Sequence, residues 1–185
     1  MSDDENHTPV DWPDILRRHG SAVWRTIYRM LGEVEPARDC YQDTFLAALQ
    51  ATRRKPVENW SAFLQALATR RAIDVLRRRY LRREQMHLAH DAEEEAVDPA
   101  PPAPQLLERA DLCQKVRLLL ATLPQRQAQA FWMRFIEQIP VGEIARQLET
   151  APGNVSVLLN RAAAHLREAL NGCGSSHHHL GEARV

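Results

Sequence analysis

WSAFLQALATRRAIDVLRRRYLRRE, residues Trp60 to Glu84, decides the fold. Phe63, Leu64, Leu67, Ala68, Ile73, Leu76 and Tyr80 recur at three- and four-residue steps. That spacing predicts an amphipathic helix. The other side carries Arg70, Arg71, Arg77, Arg78, Arg79, Arg82 and Arg83, against Asp74 alone until Glu84. Like charges four apart on a helix repel, and a solvated face usually mixes signs. A one-sign arginine stripe beside aromatic residues points instead to a polyanion, because the planar guanidinium donates two hydrogen bonds to one phosphate.

The 185 residues around this helix suffice for one moderate core or two small ones. Their net charge of zero hides a block pattern. Residues 10–86 hold 15 Lys/Arg against 9 Asp/Glu, net +6. Residues 87–108 hold 6 acids and no Lys or Arg, and residues 109–171 hold 8 basic and 5 acidic residues, net +3. Two basic blocks thus flank an acidic spacer. Cys40, Cys113 and Cys173 are too widely spaced to form a disulfide framework. The start, MSDDENHTP, is acidic and lacks the apolar run of a signal peptide. No apolar stretch approaches the ~20 residues of a membrane span. A cytoplasmic location without membrane insertion is expected. Few glycines and little β-branched alternation predict an all-α protein.

Asp11-Trp12-Pro13 opens a helix that ends at Gly32, with Ile15, Leu16, Val23, Trp24, Ile27, Tyr28 and Leu31 as its apolar face. Glu35-Pro36 starts another, to about Ala51, with Ala37, Cys40, Tyr41, Phe45, Leu46 and Leu49 apolar. Its polar side offers Arg38, Asp39, Gln42 and Asp43. The link that follows carries Arg53, Arg54, Lys55, Pro56 and Asn59 ahead of Trp60. Cations beside an aromatic suit single-stranded nucleic acid; ordinary core packing is the competing reading of Trp60. Residues 87–108 are acidic, then rich in proline, and read as a flexible linker.

Beyond it, Ala110 to Thr122 and Gln125 to about Gln138 are predicted helices, the second packing through Ala128, Phe131, Trp132 and Phe135. A short helix at Pro140–Leu148, a turn at Thr150–Gly153 and a longer helix from Asn154 to Asn171 match a helix-turn-helix, with small Ala145 at the crossing. In that motif the second helix enters the major groove by its first turns. Those carry Asn154, Ser156, Val157, Asn160 and Arg161. Asn and Arg can each pair with base edges. The expected architecture is all-α: two small helical domains, 10–86 and 109–172, a flexible acidic and proline-rich linker at 87–108, and a tail at 173–185.

This order of parts resembles an extracytoplasmic-function (group 4) sigma factor of bacterial RNA polymerase, over residues 12–171. Glu35 to Phe45, EPARDCYQDTF, is similar to the family's polymerase-docking motif, and Ala72 to Arg79, AIDVLRRR, to its promoter-facing helix. Leu123 to Gln127, Glu143 to Ala145, Gly153 to Val155, and Leu159 with Arg161-Ala162 resemble its −35 reader. The resemblance implies bacterial core RNA polymerase and promoter DNA as partners, and an anti-sigma factor as a further candidate. It implies core-polymerase binding by Asp39, Gln42, Asp43 and Phe45. It implies −10 binding by Arg53, Arg54, Lys55, Asn59, Trp60, Arg70, Arg71, Asp74, Arg77 and Arg78, with a flipped base held between Arg53 and Trp60. The −35 element falls to Asn154, Ser156, Val157, Asn160 and Arg161. No catalytic set, cofactor or metal site is expected.

Phe63 stands where the family usually has Trp, and Arg70 where it has Asn. Ser156, Leu158 and Ala163 stand near positions often filled by Lys or Arg, so the reading helix has few phosphate ligands. Val157-Leu158 is a candidate surface for an anti-sigma factor. Cys173 and His177-His178-His179 are ligand types for zinc, but glycines and serines around them favour a plain disordered tail. Cys40 and Cys113 are expected in the core. The alternatives are a free-standing helix-turn-helix regulator, which needs neither the polar Arg38–Thr44 face nor the basic loop, and a protein-binding adaptor, against which the arginine stripe argues.

Overall fold

The structure is a computed structural model; it describes residues 10–53, 55–89 and 104–174, with side chains at 10–53, 55–86 and 113–168. Seven α-helices and one π-helical turn make up these residues. Helix α1 spans Trp12–Leu31. The Asp11 carboxylate caps it by accepting from the Asp14 amide at 3.0 Å. Gly32 ends it at φ 78, donating its N–H to the Tyr28 carbonyl at 2.8 Å. Helix α2 spans Val34–Thr52 and α3 spans Trp60–Ala89. Asn59 caps α3, its side-chain oxygen accepting from the Ala62 amide at 3.0 Å.

The first half is a three-helix cluster. Ile15, Val23, Ile27, Met30 and Leu31 of α1 bury against Ala37, Cys40 and Ala48 of α2 and Leu64, Ala68, Ala72, Ile73 and Leu76 of α3. Leu64, Ala68, Ala72 and Leu76 follow one another at four-residue steps, so the buried side of α3 is narrow and rich in small residues, which lets helices approach closely. Buried hydroxyls are satisfied locally or across helices: Thr44 donates to the Cys40 carbonyl and Gln65 donates to Thr26 Oγ1.

Helix α4 spans Pro104–Thr122 and α5 spans Gln125–Phe131. The chain then widens into a π-helical turn, Trp132–Ile136, and breaks at Gln138, φ 56. Helices α6 (Val141–Gln147) and α7 (Pro152–Gly174) form the helix-turn-helix. Their core is Ala130, Met133, Ile144, Ala145, Leu148 and Val155, with buried Ala145 at the crossing as expected.

Several expectations are corrected. Leu16, Tyr28, Leu46 and Leu49 are exposed, because the packed stripe on each helix is narrower than the apolar pattern. Cys113 is exposed on the outer side of α4. Phe135 is exposed too: the π turn adds a residue and swings it off the packed face onto Phe131, ring centroids 4.9 Å apart. The helix-turn-helix turn comes earlier than Thr150–Gly153, with Glu149 at φ 48 and Pro152 already opening α7, so Gly153 supplies no special backbone conformation. Helices α3 and α4 reach Ala89 and Pro104, narrowing the linker at both ends. The tail's His177–His179 lie outside the described residues.

The two halves also share a core. Leu120, Ala121, Leu123, Ala128 and Trp132 of the second half bury in the same cluster as α1, α2 and α3.

Candidate nucleic-acid interface

Three surfaces carry the residues singled out above. On α2, Asp39, Gln42 and Asp43 are exposed along one side. Phe45 is half-buried beneath them, its ring 4.9 Å from Tyr41, so it supports that surface from the core side.

The loop before α3 exposes Arg53 and Lys55, while Arg54 lies outside the described residues. Trp60 is half-buried, edge-on to Trp12 at 5.5 Å and to Phe63 at 6.2 Å. Trp60 thus packs against the core with part of its surface open, and Asn59 is engaged as a helix cap.

The arginines of α3 are not the free stripe that the sequence suggests. Arg79 makes a two-pronged ion pair with Glu33 at 2.9 and 3.1 Å. Arg77 donates to the Leu123 carbonyl at 2.7 Å, and Arg78 to the Asp74 carbonyl at 3.3 Å. Arg71 is half-buried, and its Nε has no hydrogen-bond partner among the described residues. Arg70, Arg78, Arg82 and Arg83 remain exposed. Below this face Cys40 is buried, and desolvation pushes its thiol up to about 12.

On α7, Asn154, Ser156, Val157, Asn160 and Arg161 are all exposed, and Leu158 is half-buried against the second core. Asn154 donates to Thr150 Oγ1 at 2.7 Å, which ties the helix start to the turn.

Sequence reasoning missed the residues that join the halves. The Gln125 amide donates to Asp74 Oδ1 at 2.7 Å. Gln129 donates to the Ala66 carbonyl at 3.4 Å, and Arg117 to the Met30 carbonyl at 2.9 Å. Arg29 reaches Glu137 and the Ile136 carbonyl, each at 3.4 Å, at the end of the π turn. A cleft of about 490 Å³ separates Phe63, Ala66, Leu67 and Arg70 from Arg126 and Gln147. Partners 51 to 108 residues apart leave no local periodicity to read.

Comparison with known proteins accounts for both halves. The sigma-70 region 2 family matches residues 15–82, and the sigma-70 region 4 family matches residues 113–166. The chain belongs to the sigma-70 family. A curated relative is the ECF RNA polymerase sigma factor SigE of Mycolicibacterium smegmatis, 27% identical over 160 residues, covering 86% of this chain. The chain spans 61% of that relative's length. Among solved structures, CnrH in complex with the cytosolic domain of CnrY shares 22% identity over 86% of this chain and 87% of that chain, TM-score 0.50. The sigma factor RpoE of Bartonella quintana, in complex with the anti-sigma factor NepR, is 21% identical over 87% of this chain and 97% of that one, TM-score 0.49. As a sigma-70 protein the chain thus pairs a region 2 half (α1 to α3) with a region 4 half (α4 to α7). No described helix is long and apolar enough to cross a membrane.

Proposed function

We propose that this chain is a promoter-specificity subunit of bacterial RNA polymerase. The carrying observation is the order of the two family matches in one chain, with the polar side of α2 and the first turns of α7 both exposed. In this reading Asp39, Gln42 and Asp43 dock on the polymerase, and buried Thr44 and half-buried Phe45 hold that side in place. Arg53, Lys55, Arg70 and Arg78 attract the DNA backbone, while Asp74, Arg71 and Arg77 meet the −10 element. Strand opening at −10 is favoured by binding one strand unpaired; extruding a base costs a few kcal/mol, recovered by contacts in the loop between Arg53 and Trp60. Asn154, Asn160 and Arg161 read the −35 duplex through base edges. The protein acts by binding and transforms no substrate itself.

Run-off transcription tests the reading: core polymerase, this protein and a pool of genomic promoter fragments, with transcripts sequenced. Start sites sharing one pair of upstream elements are the expected result. No new start sites, with duplex binding retained by the protein alone, would favour a free-standing regulator. Val157, exposed beside Leu158, is assigned to a protein partner of the anti-sigma kind, since apolar side chains are poor phosphate ligands. Val157→Asp should abolish binding of such an inhibitor and leave promoter affinity nearly intact; the opposite pattern sinks the assignment.

A further inference from the structure

We propose that the cleft between α3 and α5–α6 is a small-molecule site for a nucleoside phosphate, a ligand that joins an anionic group to a flat ring carrying N–H groups.

The two walls differ in chemistry. On the α3 wall stand Phe63, Leu67 and Arg70, and the facing wall carries Arg126, Gln129 and the turn residue Glu149. The space between them, about 490 Å³, falls within the roughly 300–1,000 Å³ of ligand pockets. Each wall contributes one guanidinium, and Glu149 is the single carboxylate among the lining residues, so the cleft favours an anion. Arg126 is no loose surface cation. It donates to the Leu148 carbonyl, which fixes its guanidinium beside the helix-turn-helix turn and reduces the freedom it loses on binding. Arg70 is exposed, so its guanidinium is available to a ligand. A planar fork of donors suits the oxygens of a phosphate.

The rest of the lining calls for donors and a ring. Gln129 is only 6% exposed, yet it lines the cleft. Its NH2 group turns to the Ala66 carbonyl at 3.4 Å, and the NH2 group of Gln125 to Asp74 at 2.7 Å. The amide oxygen of each glutamine is left over, and no donor among the described residues reaches either one. Acceptors in such a wall cost free energy unless water or a ligand N–H meets them. Phe63, packed on Trp60 at 6.2 Å, and Leu67 supply the apolar surface against which a flat ring lies. A base meets the glutamine oxygens with its N–H groups, and its phosphate meets the arginines. A fatty acid would leave the acceptors unmet, and free phosphate would leave the apolar wall bare. A bound nucleotide also occupies Arg70, which the promoter reading assigns to −10 DNA. That consequence rests on the promoter reading, whereas the site does not.

The test is calorimetric titration of the full chain, without DNA or polymerase, with the monophosphates of adenosine, guanosine, cytidine and uridine, with the four nucleosides, and with inorganic phosphate. At least one monophosphate should bind one to one and raise the melting temperature. Its nucleoside should bind about ten-fold more weakly, the worth of a charge-assisted hydrogen bond, and inorganic phosphate more weakly still. Two variants outside the residues assigned to DNA locate the ligand. Arg126→Met should weaken the monophosphate to the level of its nucleoside and leave the nucleoside unchanged. Gln129→Leu should weaken both alike, with helix content by circular dichroism unchanged. Binding by none of the four monophosphates overturns the proposal, as does binding that inorganic phosphate reproduces or that both variants leave intact. Arg126→Met weakening nucleoside and monophosphate equally overturns the phosphate assignment. If only a single-stranded oligonucleotide binds, and does so through Arg126 and Gln129, the cleft seats a nucleotide of a strand and the free-ligand proposal falls. Run-off transcription without start sites, beside nucleotide binding of the expected pattern, leaves the site standing and removes the promoter role.

Discussion

Gly32 shows how one residue can serve two structures. From the sequence it is a helix stop, and it is one: φ 78 is a conformation that costs an L residue roughly 1–2 kcal/mol. In the fold it is also the gap through which Arg117 passes. A Cβ there would lie 2.6 Å from the guanidinium carbon and 2.9 Å from Nη1. Gly32→Ala should therefore lower stability in urea by more than about 2 kcal/mol, beyond the backbone term alone. In an Arg117→Ala background the excess should vanish; equal losses in both backgrounds would leave the crowding without energetic weight. The cysteines give a second prediction. Burial raises the Cys40 thiol to about 12, against an ordinary value of 9.0. At pH 8 only about one molecule in ten thousand carries the thiolate, the form that reacts. In a Cys173→Ser protein, Ellman's reagent at pH 8 should count one fast thiol, exposed Cys113, and a second only on unfolding. Two fast thiols would contradict the burial of Cys40. The sign for stability follows: the unfolded thiol ionises first, so the contribution is whole below about pH 9 and is lost as pH rises towards 12.

At the scale of elements, what could be read from the sequence had local causes. Asp11 with Pro13, Gly32, and the three- and four-residue steps in Trp60–Glu84 place α1 and α3 because caps and periodicity act within a few residues. The π turn at Trp132–Ile136 could not be read, since apolar periodicity does not show where a helix takes an extra residue. It alone removes Phe135 from the core position that a regular helix would provide. Asn59 has a structural role beside the one read from its neighbours. Placed among cations before Trp60, it reads as a nucleic-acid contact, yet its side chain closes the first turn of α3. Asn59→Ala should cost about 1 kcal/mol by loss of the cap, and Asn59→Asp should keep most of it. If DNA affinity falls with Asn59→Asp while stability does not, Asn59 contacts DNA as well as capping the helix.

At the scale of the molecule, the sequence reads as two separate domains and the fold is a coupled pair. The acidic, proline-rich stretch suggests independence because composition reports on the stretch itself. It is silent on surfaces that meet elsewhere. Leu123 carries the difference: its side chain is fully buried within the cluster that also holds Ile27, Leu64 and Ile73, and its carbonyl binds Arg77. A core that spans both halves should unfold as one unit. Tryptophan fluorescence has reporters on both sides, Trp24 and Trp60 in region 2 and Trp132 in region 4, and should follow one urea transition that coincides with loss of helix. Leu123→Ala leaves a cavity at the junction and should lower the midpoint by an amount worth about 2–4 kcal/mol. It should also split the transition, region 4 melting first, because α4 and α5 lose their shared core while the three-helix cluster of region 2 keeps its own. A Leu123→Ala protein that still unfolds in one step, with both sets of tryptophans reporting the same midpoint, would mean that the halves are coupled by something other than this junction.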